Sequence, residues 1–300
     1  MKEELDIRLA AFRWLAERET SGRSVFSGKE LAEGFIFRNR RITLKGQTGI
    51  WFPQGFSMPI SITTRLNGPY KLDSFNSDRT WTYAYRGEDP NHRDNRGLRE
   101  AMRTRTPLIY FIEVYNHYYQ AVWPLIIIQD FPTSLCVKAM IEPAYKDLRP
   151  GHAMDDLIES PMDVRRYVTV ETRRRLHQNA FREQVIHAYD EHCAICNLHH
   201  PELLDAAHII RDSDQEGIPI INNGLSLCKI HHAAYDQNFI GIDQDSRVHV
   251  RRDILIERDG PMLKHGLQEL DGWNIRTPQR RKDRPDPDRL ALRFKEFLSA

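Results

Sequence analysis

The chain has no run of eighteen apolar residues, the minimum for a bilayer-spanning helix, so no transmembrane segment and no membrane partner are expected. Its first residues, MKEELDIRLAAFRWL, carry acids where a secretory signal has a basic flank, and a cytoplasmic protein is expected. Cysteine is scarce. Four in 300 residues do not make a disulfide scaffold, and Cys136, alone in the apolar run SLCVKAM, reads as a buried inert thiol. Charge bias is also missing, with 43 Lys and Arg against 42 Asp and Glu and a formal net charge of +1. That balance does not exclude a polyanionic partner, because what matters is whether cations cluster on one face. What is present suffices for packed cores: 40% hydrophobic and 10% aromatic residues, on a length that predicts two domains.

The other three cysteines share one stretch. CAIC at 193–196 and CKIHHAAYD at 228–236 contain a C-x2-C and a C-x2-H clip, and short clips of this kind let a turn present two soft ligands to a tetrahedral Zn²⁺. Cys193, Cys196, Cys228 and His231 form the expected zinc set. Interleaved with it are His208 after the apolar run LDAA, Asn223 in NNGLSL, and His232 directly after the last zinc ligand. This order resembles the HNH, or ββα-metal, nucleases, in which a hairpin and a helix pinch one hydrolytic metal ion. The resemblance implies that His208 is the general base, that Asn223 completes the coordination or fixes the loop orienting His208, and that His232 holds catalytic Mg²⁺ or Mn²⁺ while the zinc is structural. Ala207 stands where many relatives have a further metal ligand; the nearest carboxylate, Asp205, is assigned that place here. Tyr235 and Asp236 follow the motif in either a helix-anchoring or a catalytic role.

Upstream, GIWFP, PISITTRL, TWTYAYRG, PLIYFIEVY, YYQAVWPLIII and SLCVKAMIE are short β-like runs, broken by turns and one helical insert, DNRGLREAMRT. They predict a β-barrel of mixed topology. Their order over residues 49–142 is similar to the SRA (SET and RING associated) domain, a PUA-like barrel that binds a modified cytosine flipped out of duplex DNA. That resemblance implies a base pocket with Tyr70 and Tyr83 as aromatic plates, Asp73 reading the Watson–Crick edge, and Ala84 where relatives have threonine. A carboxylate suits the N4 amino donor of cytosine, and stacking offsets the cost of flipping. As ordinary barrel residues, the same side chains would be core and turn. Arg96, Arg99 and Arg103 share one face of the insert helix, either as phosphate contacts or as a solvated row.

At the N-terminus, Leu5, Ile7, Leu9, Phe12, Leu15 and Ala16 have helical spacing and Ser27 caps a second helix. Two helices followed by IFRNRRITL fit a winged helix or a helical lid equally. The proline-containing stretch 143–172 reads as the link between domains 1–150 and 151–300. Next comes a helix with an apolar stripe of Phe181, Val185, Ile186 and Tyr189; Arg174 and Arg182 lie off the stripe as DNA-backbone candidates. Beyond the motif, FIGIDQDSRVHVRRDIL predicts a strand pair, His249 and His265 read as structural or surface histidines, TPQRRKDRPDPDRL as an exposed turn, and Leu290–Leu298 as a helix. The expected fold is α+β, an SRA/PUA-like barrel joined to a zinc-stapled HNH domain. The two resemblances together imply a modification-dependent restriction endonuclease acting on double-stranded DNA with 5-methyl- or 5-hydroxymethylcytosine by base flipping, as in phage defence, with a homodimer as one way to cut both strands. Two alternatives stay open: a non-cleaving DNA-binding module with a degenerate core, and an HNH nuclease whose barrel reads another nucleic-acid feature.

Overall fold

The computed structural model describes residues 2–20, 23–66, 74–76, 80–142, 161–212, 214, 217–258 and 260–300. They form two compact units, Met1–Asn179 and Ala180–Ala300. The boundary expected near residue 150 lies outside the described residues.

The first unit runs α1 (Lys2–Thr20), β1 (Val25–Ser27), α2 (Gly28–Glu33), β2 (Phe35–Phe37), β3 (Arg40–Ile42), β4 (Ile50–Trp51), β5 (Ser61–Thr64), β6 (Ser74–Phe75), β7 (Trp81–Ala84), α3 (Arg93–Arg103), β8 (Leu108–Tyr115), β9 (Tyr118–Phe131) and β10 (Cys136–Ile141). Eight of these strands make one sheet in the order β4-β5-β8-β9-β10-β7-β6, with β1 also on β9. The β5–β8 pairing is parallel, and the others described are antiparallel. On one face Leu108, Tyr110, Val122 and Leu125 join Trp81, Tyr83 and, from α3, Leu98 and Ala101. On the other face Ile109, Phe111, Tyr119 and Trp123 join Ile7, Phe12 and Leu15 of α1. Strands buried on both faces need apolar side chains at successive positions, which is why LIYFIEVY and YYQAVWPLIII show little alternation.

Helix α1 is a lid on this sheet, the second of the two readings its sequence allows. Phe12 stacks on Trp123 with centroids 5.5 Å apart. Arg8 is buried beneath the helix and donates to the carbonyls of Pro59, Met58 and Pro107 at 2.7, 3.1 and 3.3 Å. Burial pulls its pKa down to about 10, which leaves the guanidinium charged at neutral pH. The expected barrel is present only in part. The Tyr83 hydroxyl donates to the Thr63 carbonyl of β5 at 3.4 Å, so the sheet curls, but its end strands β4 and β6 are not paired with each other. Among the described residues it is a half-barrel.

The second unit follows from α4 (Pro161–Ala188) into β11 (Leu204–His208), β12 (Gly224–Cys228), α5 (Lys229–Asp236), β13 (Ile240–Ile242), β14 (Val248–Val250), α6 (Arg252–Ile256), α7 (Pro261–Gly266) and α8 (Pro287–Leu298). The expected stripe of Phe181, Val185, Ile186 and Tyr189 packs with Leu204, Leu225, Leu227, Ile240 and Leu290. β11 and β12 are antiparallel, and α5 begins where β12 ends. β13 and β14 form the strand pair read from the sequence. Among the described residues no helix is long and apolar enough to cross a membrane.

Candidate functional site

The two clips converge. The ligand atoms of Cys193, Cys196, Cys228 and His231 all lie within 4.8 Å of one another. His231 Nδ1 is 3.2 Å from Cys228 Sγ and 3.6 Å from Cys193 Sγ, and the thiols of Cys196 and Cys228 are 4.0 Å apart. A tetrahedron with zinc–ligand bonds of 2.0–2.3 Å has edges of about 3.3–3.8 Å, so this donor set fits zinc. The backbone prepares the ligands. Asn197, in the left-handed region at φ 57°, closes the first turn, with its N–H on the Cys193 carbonyl at 3.0 Å. Cys228 is the N-cap of α5, which puts His231 on the first turn of that helix. His231 Nε2 donates to the Gly266 carbonyl at 2.8 Å, and that bond selects the tautomer whose Nδ1 lone pair is free for a metal.

Beside the zinc set, a cleft of about 550 Å³ is lined by His208, Arg211, Asp212, His232, Asp236, Gln237 and Asn238. His208 ends β11, paired with Gly224 of β12, and its ring stacks on Phe181 at 4.1 Å. Its Nε2 is buried and has no hydrogen-bond partner among the described residues. Burial lowers the His208 pKa despite the nearby Asp212 carboxylate, so the imidazole is neutral at pH 7. A neutral imidazole lining a cleft is equipped to take a proton.

Facing it from α5, His232 and Asp236 are one helical turn apart, with Nε2 and Oδ2 separated by 3.3 Å. Two ligands at about 2.1 Å in adjacent octahedral positions are about 3 Å apart, so the pair fits a small hard cation. On the opposite edge of the ring, His232 Nδ1 lies 3.6 Å from Asp205 Oδ2. Hydrogen bonds to Asp205 and Asp236 push the His232 pKa up to about 9 against the opposing effect of burial. Burial raises the Asp205 carboxyl, but His232 and Lys229 outweigh it and hold the group well below the carboxylate range.

Asp205 therefore sits behind His232 and is absent from the cleft lining, unlike the metal ligand expected from the sequence. The reason is strand parity: successive side chains of β11 alternate faces, so residues three apart, such as Asp205 and His208, point to opposite sides. Asp205 is tied to Lys229 Nζ at 2.9 Å. The carboxylates in the cleft are Asp236 and Asp212, and the i, i+4 spacing of His232 and Asp236 was the signal for the first. Tyr235 and Asp236 differ in their surroundings. Tyr235 is buried under the Arg293 guanidinium, whose Nη2 donates to the Tyr235 carbonyl at 2.8 Å, while Asp236 lines the cleft. Asn223 is fully buried. Its Oδ1 accepts from Ile210 N at 2.9 Å and its Nδ2 donates to the carbonyls of Ile210 and Ile218, each at 3.0 Å. Of its two candidate roles, this is the loop-fixing one.

The other expected residues are dispersed. Arg182 donates to the carbonyls of Pro201 and Leu204 at 2.7 and 2.9 Å, an internal clamp at the start of β11 that uses the donors a phosphate would need. Arg174 is exposed on α4. On α3, Arg96 is exposed, Arg99 donates to Asn91 and Arg103 is paired with Glu100 at 2.6 Å. His249 is bonded to Asp243 and His265 to Glu269, each at 2.7 Å, as structural or surface pairs. Tyr70 and Asp73 lie outside the described residues. Tyr83 meets Tyr110 edge-on at 5.9 Å and, with Ala84, lines a cavity of about 230 Å³ that also involves Gln47, Thr48, Gly49, Ile50, Tyr85 and Arg86.

Residues 193–243 match the family model described as HNH endonuclease, and the chain carries an HNH endonuclease domain there. No curated protein matches the chain. Among solved structures it is similar to one titled "Modification dependent TagI restriction endonuclease", at 15% identity and a TM-score of 0.29, over 83% of this chain and 85% of that one. Another is "Structure of the Type IV phosphorothioation-dependent restriction endonuclease ScoMcrA", at 14% identity and a TM-score of 0.21, over 58% and 52%.

Proposed function

We propose that the chain is a modification-dependent DNA endonuclease: the cleft of the second unit hydrolyses phosphodiester bonds, and the curled sheet of the first selects DNA with a modified cytosine. The observation that carries the hydrolytic part is neutral His208 lining the same cleft as the His232–Asp236 pair. His208 takes a proton from water as it attacks phosphorus. His232 and Asp236 would hold Mg²⁺ or Mn²⁺, which when bound supplies charge neutralisation at the phosphate and at the leaving 3′ oxygen. Asp205 orients His232 through Nδ1, as a carboxylate behind a metal-binding histidine does. Asn223 keeps the loop after His208 in register, and Cys193, Cys196, Cys228 and His231 would hold a structural zinc whose closed shell leaves no position for water. One cleft cuts one strand at a time, and a homodimer is one way to cut both.

The selective part rests on the cavity beside Tyr83 and Ala84, large enough for a pyrimidine ring, in a sheet whose order of runs resembles the SRA domain. Its test is digestion of matched plasmids containing cytosine, 5-methylcytosine, 5-hydroxymethylcytosine or glucosylated cytosine, with Mg²⁺ and with Mn²⁺. Cleavage confined to one or more modified plasmids is the expected result. Equal cutting of all four would remove the selective role, and no cutting of any would remove the hydrolytic one.

A further inference from the structure

The basic run at 279–284 reads in the sequence as an exposed turn, but it is pinned to the second unit. Pro278 and Pro285 are buried, Arg284 Nε donates to the Pro278 carbonyl at 3.1 Å, and Asp286 N donates to the Asn222 carbonyl at 3.0 Å. Held in this way, the segment forms one wall of a second cavity, of about 590 Å³, that shares no lining residue with the His208 cleft. Arg281, Lys282 and Arg284 line it, with the hydroxyls of Ser246 and Thr277 and the amides of Gln244 and Asn222. The one carboxylate in the lining, Asp286, is committed elsewhere: its Oδ1 accepts from the N–H groups of Asp288 and Arg289 as the cap of α8.

We infer that this cavity binds the phosphate backbone of the DNA substrate outside the scissile position, an inference that rests on the nuclease reading above. Three cations and several neutral donors around one committed carboxylate suit a repeating anion, and the apolar floor of Ile275, Pro285 and Pro287 suits the sugars between phosphates. The wall also connects to the catalytic loop through one turn. Asn222, which accepts from Asp286, immediately precedes Asn223, whose side chain fixes Ile210 and Ile218 in the segment after His208. A strand seated here braces the turn that positions the base.

The test is the salt dependence of binding of a short duplex to full-length protein in the non-cleaving His208→Ala background, the duplex being one the parent protein cuts. Each phosphate neutralised contributes about 0.9 to the slope of log K against log salt, so Arg281→Ala with Lys282→Ala should lower the slope by about 2. The charge-keeping pair Arg281→Lys and Lys282→Arg should retain it. Both residues are exposed, and zinc content and melting of the variants report whether the fold is kept. If the alanine pair leaves affinity and slope unchanged while the parent binds and cuts DNA, the site is wrong and the nuclease reading stands. If the parent neither binds nor cuts DNA, both fall.

Discussion

Two carboxylates flank His232, and the proposed function gives them different tasks: Asp236 as a metal ligand and Asp205 as the group that orients the ring. Of these two, Asp236 lines the cleft with His208, whereas Asp205 contacts the far edge of the His232 ring. Asp236→Asn removes a ligand and should lower cleavage by two or more orders of magnitude, whereas Asp205→Asn should cost about 10–100-fold, the usual range for an outer partner of a metal-binding histidine. Titration of cleavage against Mn²⁺ separates them, and equal losses that excess metal does not relieve would merge the two roles. His208 gives a second expectation. Burial depresses its pKa, and a general base works only when deprotonated, so activity is retained down through neutral pH and lost below the ordinary histidine value of about 6.5. A pH–rate profile at saturating metal whose acid limb lies above 7 would contradict that assignment.

At the scale of elements, α4 packs on the hairpin of β11 and β12 through Phe181 and Val185. Gly224 marks the closest approach. A Cβ there would lie 2.4 Å from Val185 Cγ2 and 2.9 Å from Phe181 Cζ, and Phe181 is the ring on which His208 stacks. Gly224→Ala should therefore destabilise the second unit by about 1–3 kcal/mol and, by displacing Phe181, reduce turnover with little change in DNA affinity. Thermal unfolding and single-turnover kinetics measure both; an unaltered melting curve would mean that α4 yields freely. The zinc clips were fully legible in the sequence, because ligand chemistry and spacing are local. The pairing of His232 with Asp236 was harder to read, because Asp205 is nearer to His208 along the chain, whereas HHAAYD brings its His and Asp together only through the i, i+4 spacing of a helix. The winged-helix and lid readings of α1 could not be separated from its own residues, since the same apolar positions serve either; what they pack on, Trp123 and Phe111, is far along the chain.

For the whole molecule, one hydrophobic cluster lies in the second unit and two lie on the faces of the first unit's sheet, a division that implies separable stabilities for the two units. The core around Phe181 and Leu225 has the zinc cluster beside it, whereas the sheet of the first unit contains none of the zinc ligands. Zinc-binding free energy in small stapled units is folding free energy, of order 10 kcal/mol, so chelation or Cys228→Ser should unfold the second unit and leave the melting of the first unchanged. A single transition that moves as one on chelation would show the two to be one cooperative body. In the first unit the series of β-like runs and the helical insert were readable. Closure of the barrel was not, because it depends on pairing between β4 and β6, each two residues long and too short to carry a pattern. The central claim is that His208 is the base of a phosphodiester-cutting cleft, and plasmid cleavage by His208→Ala beside the parent protein tests it most directly. The account predicts that the variant keeps its zinc and its affinity for DNA and loses cutting; cutting at a comparable rate would contradict it.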